Sequence, residues 1–343
     1  MANQFEKNLH QKMFFEFIRK LTSENQSLVD AVSNLLNISI DAAYRRIRCE
    51  KLLDFEELII LCNHFKISVD SLLNINDGND IRCRYTPLDL RDRKNYLTYM
   101  QNLSDNIESV STAPDGALLL AAADIPVFHY VDHKELIFFM LFAWNVSVYG
   151  YTAYYDEFVQ QWDCNEASQY YEKIFQTYQH CPSTEIWTDY TIDKTLRLLS
   201  YHYEMGHFND KNIPVLLCEQ LLNMIDTIHN QTEKGVKGAK ETSFKFYVSE
   251  TDLYSNLALF KKNGTTNCTL RLFTINHFYI SDQRFCIETE KWLNAAIQRS
   301  TLISGSSEKQ RHQFFNGQKQ KIFELRGKIL KNSKRKRGQV AIS

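Results

Sequence analysis

Apolar residues recur at helical spacing in five short stretches at the start of the chain. In "NLHQKMFFEFIRKL" (8–21), Leu9, Phe14 and Ile18 share one face with three further apolar residues. The same spacing predicts helices in the stretches that follow, which are "SLVDAVSNLLN" (27–37), "SIDAAYRRIRCEK" (39–51), "DFEELIILCNHF" (54–65) and "SVDSLL" (68–73). Short connections join them, so residues 1–75 form a compact five-helix domain in this prediction.

Residues suited to helix N-caps mark where several of these helices begin. Ser27, Ser39 and Ser68 each stand directly before an apolar periodic stretch. Asp54 and Glu57 form the aspartate variant of a capping box. The chain then reaches a linker at 76–88, with the domain boundary expected near residue 80 because Gly78 and Pro87 break regular structure.

Beyond the linker, the pattern is mostly helical and then changes period. Helical spacing fits 89–110, 133–162, 165–180, 189–206, 213–230 and 282–301. Residues 244–250 alternate as a strand does, and two alternating runs flank Asn263-Gly264, which is a strong hairpin signal. We therefore predict an α+β, predominantly helical fold, in which a helical domain over 89–325 carries a small antiparallel sheet near 244–276, followed by a basic tail over 326–343.

The distribution of charge adds a candidate partner. The net charge of the 343 residues is −1, but residues 1–80 carry −3, residues 81–307 carry −7 and residues 308–343 carry +9. A basic end on an acidic body indicates either a polyanionic partner or an acidic surface of the same chain. The block Lys334–Arg337 is expected to be disordered in the free protein, and contact with DNA is a second possibility for it.

Cysteine usage and hydropathy indicate the compartment. The 8 cysteines are scattered without a C-x-x-C pair, which predicts reduced thiols in a cytoplasmic protein without a secretory signal. The apolar stretch 136–155 has the length of a bilayer span. Asn145, Ser147 and Gly150 interrupt it, so we predict a buried core helix and no membrane partner.

Motifs for catalysis and cofactors are weak or missing in the sequence. His202, Glu204 and His207 lack H-E-x-x-H spacing, and nothing in the sequence brings His277 to Cys286. No phosphate-binding glycine motif occurs, since "GVKGAKET" lacks the P-loop spacing. We therefore predict neither an enzyme nor a cofactor or metal site. The aromatic residues between Tyr149 and Trp162 are assigned to core, with a ligand pocket as the alternative.

The stretch 39–51 is the strongest candidate for function. If Ile40 is placed at the centre of the buried face, Ala43, Tyr44 and Ile47 also turn inward at 100° per residue. The opposite face then carries the remaining polar and small side chains, which are Asp41, Ala42, Arg45, Arg46 and Arg48. Such a short basic helix suits insertion into the major groove of double-stranded DNA.

Each residue of that face has a physical role in this hypothesis. Ser39 caps the helix and contacts a phosphate, and Ala42 allows close approach. Arg45 or Arg46 pairs with the O6 and N7 atoms of guanine, and Arg48 holds a phosphate. Asp41 completes the predicted DNA-binding set of Ser39, Asp41, Ala42, Arg45, Arg46 and Arg48. The simpler alternative is the solvated basic face of an ordinary helical bundle.

These residues also resemble a known domain. "SLVDAVSNLLNIS", "IDAAYRRIRCEK" and "FEELIILCNHFKISVDSLL" resemble the positioning helix, reading helix and closing helices of the Cro/repressor-type helix-turn-helix domain. Asn37 stands where that family often has glycine, and it tolerates the left-handed conformation. Three further segments (122–130, 285–293 and 300–315) resemble Bacteroidetes-type helix-turn-helix regulators with a long C-terminal region. The resemblance implies a bacterial transcription regulator and assigns no ligand to that region.

The predicted function is therefore sequence-specific control of transcription. A homodimer would read a two-fold-related DNA site, and the C-terminal domain would sense a small-molecule or protein effector or mediate dimerisation. The main alternative is a signalling or assembly module whose N-terminal helices bind protein rather than DNA. An enzyme with an appended DNA-binding head is a third class, for which residues 85–325 show no defensible catalytic cluster.

Overall fold

A computed structural model describes residues 8–21, 27–67, 81–85, 87–151, 154–162, 165–272 and 275–340. The chain divides into two compact units, one over Met1–Asp80 and one over Ile81–Ser343. We refer to them as the N-terminal unit and the C-terminal unit, and each is described by itself.

The helices and strands alternate irregularly along the chain. Within the described residues, the helices of the N-terminal unit are α1 (Leu9–Leu21), α2 (Leu28–Leu36), α3 (Ile40–Ile47) and α4 (Phe55–Phe65). The C-terminal unit has the helices α5 (Arg93–Ser111), α6 (Val127–Tyr130), α7 (Lys134–Tyr149), α8 (Tyr155–Trp162), α9 (Asn165–Gln179), α10 (Asp193–Glu204), α11 (Ile213–Lys234), α12 (Gln283–Gln298) and α13 (Glu308–Val340). Its strands are β1 (Cys83–Tyr85), β2 (Ala117–Ala122), β3 (Ser183–Trp187), β4 (Val236–Lys237), β5 (Thr242–Val248), β6 (Leu257–Lys262), β7 (Thr265–Arg271), β8 (His277–Ile280) and β9 (Thr301–Leu302).

A small apolar core holds the described helices of the N-terminal unit together. Every one of the four helices contributes to it, and its buried members are Phe14, Phe15, Ile18, Val32, Ala43, Leu61, Cys62 and Ile67. The predicted N-caps Ser39 and Asp54 accept hydrogen bonds from backbone amides of the first turn, which confirms them. Ser27 precedes α2 as expected, but its side chain makes no capping hydrogen bond. The predicted fifth helix, with its cap at Ser68, lies outside the described residues.

The C-terminal unit is built on a mixed sheet, which has nine strands within the described part of the chain. Its order is β1-β8-β7-β6-β2-β3-β5-β4, with β9 paired to β5. β3 runs parallel to both β2 and β5, and the other pairs are antiparallel. The predicted hairpin is confirmed, because β6 and β7 flank Asn263 and Gly264 with φ values of 49° and 69°.

Both faces of this sheet are covered by helices. Leu118 and Leu120 of β2 and Phe260 of β6 face the larger core, to which α5–α11 and α13 contribute. Ala121, Leu259 and the other residues of opposite parity face a second core, where Cys286 and Leu293 of α12 pack. The fold class is therefore α+β and mostly helical, as predicted.

The prediction of a small antiparallel sheet near 244–276 needs correction. The observed sheet also includes β1, β2 and β3, and it contains parallel pairs. Central strands buried on both faces read as continuous apolar runs, so "ALLLAA" in β2 shows no alternation. The predicted helix over 133–162 is also divided, since Gly150 adopts φ 62° at the end of α7.

The expected tail beyond residue 326 is the continuation of helix α13. Phe315, Ile322 and Ile329 stand seven residues apart and are all fully buried in the larger core. A heptad spacing places side chains on nearly the same helical face. The backbone is helical up to Val340, and this helix includes the block 334–337 that the sequence predicts to be disordered in the free protein.

Basic residues of α13 face acidic residues of the C-terminal unit. Arg326 Nη2 lies 2.7 Å from Glu219 Oε1, and Lys321 Nζ lies 2.8 Å from Asp193 Oδ1. Lys319 pairs with Asp226, and Lys328 Nζ lies 2.6 Å from Glu204 Oε1. These four ion pairs confirm that the basic end of the chain contacts acidic residues of the same chain.

The described residues contain no helix that is long and apolar enough to cross a bilayer. The apolar stretch that begins at Leu136 forms most of α7, whose residues 136–145 are all buried in protein. Seven cysteines lie in the described part of the chain, and all of them are free thiols. Cys164 lies outside it.

Candidate nucleic-acid interface

A tight turn joins α2 to α3. Asn37 adopts the left-handed conformation with φ 51° and ψ 49°, as predicted. The amide of Ile38 donates to the carbonyl of Ser33 at 3.1 Å, and the Ser33 hydroxyl donates to the carbonyl of Ile38 at 2.6 Å. These bonds satisfy backbone groups at the end of α2 and define the angle at which α3 leaves it.

Ser39 is the N-cap of α3. Its Oγ accepts a hydrogen bond from the amide of Ala42 at 3.2 Å, and its own backbone is extended. Ser39 is exposed, so the N-terminus of α3 faces solvent. A helix N-terminus concentrates partial positive charge and free amides, which favours an anion such as a phosphate.

The inward face of α3 differs from the one that we predicted. Ala43 is fully buried and Ile47 is partly buried, as expected, but Arg46 is only 4% exposed. Ile40 and Tyr44, which we expected inside, are 55% and 43% exposed. The helix is thus rotated about its axis relative to the predicted wheel, because Arg46 finds a charged partner inside the unit.

That partner is Glu57, the third residue of α4. Arg46 Nε donates to Glu57 Oε2 at 2.8 Å, and a second bond joins Nη2 to Oε1. Arg46 Nη1 also donates to the carbonyl of Ala42 at 3.1 Å. The hydrogen bond from Arg46 holds the pKa of the Glu57 carboxyl below its usual range, and Glu57 raises the pKa of Arg46. Glu57 completes the capping box with Asp54, so one carboxylate joins α3 to the start of α4.

Helix α1 fastens the other end of α3. Gln11 Nε2 donates to the carbonyls of Arg46 and Lys51 at 2.8 and 2.9 Å, and Gln11 Oε1 accepts from the amide of Leu53. Asn8 Nδ2 donates to the carbonyl of Cys49 at 2.9 Å. The end of α3 and the loop after it are thereby held by side chains distant in sequence.

The outward face of α3 is a continuous exposed strip. It carries Ile40, Asp41, Tyr44, Arg45 and Arg48, which we call the α3 face. The guanidinium of Arg48 lies over the Tyr44 ring, 5.4 Å from its centroid. Of the six residues predicted to bind DNA, Ser39, Asp41, Arg45 and Arg48 are exposed and Ala42 is half-buried.

Arg46 is therefore removed from the candidate set, and Ile40 and Tyr44 are added to it. The sequence does contain a residue that explains why Arg46 points inward. Glu57 is an acidic residue in an apolar-periodic helix next to α3, and an arginine can pair with it bidentately. The predicted buried face was assigned from apolar residues alone, and on that basis Tyr44 was placed inside.

Comparison of the chain with protein-family models, with curated proteins and with solved structures finds no match. The helix-turn-helix resemblance thus stays a prediction, and the case for function rests on the geometry of the α3 face.

Other residues singled out in the sequence are placed elsewhere. His202 Nδ1 lies 2.8 Å from His207 Nδ1, whereas Glu204 pairs with Lys328 and Ser200. Burial lowers the pKa of His202 to about 4. The described residues contain no cluster of three His, Cys, Asp or Glu side chains suited to a metal ion.

Cys286 and His277 lie on opposite sides of the sheet. Cys286 is buried in the core under α12, and His277 belongs to the opposite face of the sheet. Burial raises the pKa of the Cys286 thiol, which disfavours the nucleophilic thiolate. Of the aromatic residues between Tyr149 and Trp162, Tyr155, Phe158 and Trp162 are buried in the larger core, as the core interpretation expects. Tyr149 and Tyr151 are only partly buried against that core, and Tyr154 is exposed.

Proposed function

We propose that the protein is a sequence-specific DNA-binding regulator that reads the major groove with the α3 face. The observation that carries this proposal is the pair of exposed arginines, Arg45 and Arg48, on a short helix that follows a tight turn. A hydrogen bond from Gln11 to the carbonyl of Arg46 and the hydrogen bonds from the Arg46 side chain to Glu57 hold that helix from its buried side. A rigid support lets base contacts form without an additional ordering cost.

The residues of the α3 face differ in the contacts that they can make. Arg45 is free to present its guanidinium bidentately to guanine, and Asp41 can accept from the amino group of cytosine. Arg48, stacked on Tyr44, suits a phosphate at the groove edge. Ser39 and the amides at the N-terminus of α3 suit a second phosphate.

The net charge of −3 over residues 1–80 opposes binding to DNA by one copy. We therefore propose a homodimer, in which two α3 faces contact half-sites about 34 Å apart on one side of the duplex. Two-fold symmetry of the protein then predicts two-fold symmetry of the operator.

The test is selection of bound duplexes from a random pool by the full-length protein at two salt concentrations. Arg45→Ala should relax base preference at one position of each half-site and cost about tenfold in affinity for the selected site. Arg48→Ala should weaken binding to every sequence and lower the salt slope by about one per half-site. Lys291→Ala is the matched control, since Lys291 is an exposed cation on α12.

Enrichment of a two-fold-related motif, with the two variants behaving differently and the control like the native protein, supports the proposal. Binding that is insensitive to salt and unchanged by both arginine substitutions would contradict it.

One observation favours the alternative of a protein-binding module. Ile40 and Tyr44 expose apolar surface on the same face, and solvent-exposed apolar groups in a cluster are common in protein interfaces. This alternative predicts that Ile40→Ser abolishes capture of a partner protein and that Arg45→Ala does not. The DNA proposal predicts loss of duplex binding in Arg45→Ala.

A further inference from the structure

A cavity of about 360 Å³ lies in the C-terminal unit. It is open to solvent on one side and lies between the sheet face formed by β2, β6, β7 and β8 and the helices α5, α6 and α7. Its volume lies within the range of about 300–1,000 Å³ that small-molecule sites occupy.

The deep walls of the cavity are apolar. Met100 of α5, Phe128 of α6, Leu120 of β2 and Phe260 of β6 are all buried and line it. Small-molecule sites are concave and mostly apolar, with a few polar groups that orient the ligand. A pocket of this size with such walls therefore suits a ligand with an apolar body.

The mouth of the cavity is polar, because its lining includes the exposed residues Arg84, Asn102 and Asp105. Arg84 of β1 lies opposite Tyr279 of β8, and its guanidinium is 5.8 Å from the centroid of that ring. Within the described part of the chain, no carboxylate forms an ion pair with Arg84.

The second arginine of the lining is already neutralised. Arg271 Nη2 lies 3.1 Å from Asp124 Oδ2, and both side chains are mostly buried. His277, which lies opposite Arg271 in the sheet, packs with its ring 5.8 Å from the ring of Tyr99. The guanidinium of Arg84 at the mouth can therefore bind one anionic group. Because Arg84 is exposed, an anion bound there stays partly hydrated.

We propose that this cavity binds a hydrophobic monocarboxylic acid. The apolar part of the ligand lies between α5 and the sheet, and its carboxylate accepts two hydrogen bonds from Arg84 at the mouth. Arginine suits this role because its planar fork matches a carboxylate, and stacking on Tyr279 orients it. The proposal does not depend on DNA binding, since no residue of the α3 face takes part.

The experiment is isothermal titration calorimetry of the full-length protein with decanoate, 2-naphthoate and 1-decanol, in the absence of DNA. Saturable binding of one molecule of either acid per chain is expected, and the better of the two identifies an aliphatic or an aromatic ligand body. Decanol should bind more weakly than decanoate, because its uncharged hydroxyl cannot form a bidentate ion pair with Arg84.

Two variants locate the site. Arg84→Met should weaken binding of the acid by roughly tenfold and leave decanol unchanged, whereas Arg93→Met, an exposed arginine at the start of α5, should change neither. Ala258→Phe places a ring in the cavity from β6 and should abolish binding of all three probes. Tryptophan fluorescence checks that the variants keep the fold.

Several results would overturn the proposal. They are no saturable binding of either acid, binding that survives Ala258→Phe in a folded protein, and equal affinities of decanoate and decanol that Arg84→Met leaves unchanged. Arg84 lies on an edge strand and is exposed, so its substitution leaves a folded protein in which the carboxylate contact is tested directly.

Discussion

Arg45 and Arg46 are adjacent arginines with opposite environments, and this contrast gives the sharpest prediction. Arg46→Met removes two charge-assisted hydrogen bonds to Glu57 and one to the carbonyl of Ala42. It leaves the Glu57 carboxylate, whose side chain is 13% exposed, without its cation. Breaking a buried pair from one side costs about 3–5 kcal/mol, and the partial exposure of Glu57 places the expected loss near 3 kcal/mol.

The assay is hydrogen–deuterium exchange of the full-length protein, read out on peptides from α3 and α4. A loss of about 3 kcal/mol corresponds to roughly 150-fold faster exchange of the protected amides. Arg45→Met is the matched control, because it removes the same charge from an exposed position, and its effect should stay within about 0.5 kcal/mol. Peptides from the C-terminal unit should be unchanged in both variants.

The pH dependence provides a second measure of the same pair. The pKa of Glu57 is lower in the folded protein than in the unfolded chain. Its contribution to the free energy of unfolding is therefore fully present above the pKa of the unfolded state, and it is lost as the pH falls through the pKa of the folded state. Arg46→Met should flatten this acidic decline in protection. If the amides of α3 and α4 exchanged at the same rate in Arg46→Met and Arg45→Met, Arg46 would not be a structural residue. Its removal from the candidate DNA-binding set would then be wrong.

Two further predictions concern backbone conformation and buried charge. Asn37→Ala should destabilise the N-terminal unit by about 1 kcal/mol and Asn37→Gly should not, because the residue has φ 51°, and exchange in α2 and α3 measures both. Lys237 is 1% exposed and donates to Ser183 Oγ at 2.7 Å, and burial lowers its pKa to about 7. The unfolded chain then holds more protons than the folded one between about pH 7 and the ordinary lysine pKa of 10.5, so the contribution of Lys237 to the free energy of unfolding should rise across this range. Urea unfolding followed by tryptophan fluorescence, with Lys237→Met removing this rise, checks the sign.

Local rules account for much of the fold. The N-caps at Ser39 and Asp54, the left-handed Asn37 and the Asn263-Gly264 hairpin were all predicted, because each depends on a few neighbouring residues. The strands β2 and β3 were missed, because a strand buried on both faces has no alternation, and the helices that bury it lie far away in sequence. The heptad of Phe315, Ile322 and Ile329 was visible in the sequence, but the basic residues around it suggested a tail.

For the candidate interface, a short basic helix after a tight turn follows from the sequence, since helical periodicity, a serine cap and Asn37 are local properties. Which arginines face solvent depends on packing between helices. Arg46 turns inward because Glu57, eleven residues away and on another helix, satisfies its guanidinium, and this rotation exposes Ile40 and Tyr44. The cavity is likewise a tertiary property: its walls come from strands and helices that meet only when the sheet is assembled, which no local pattern of hydrophobic residues encodes.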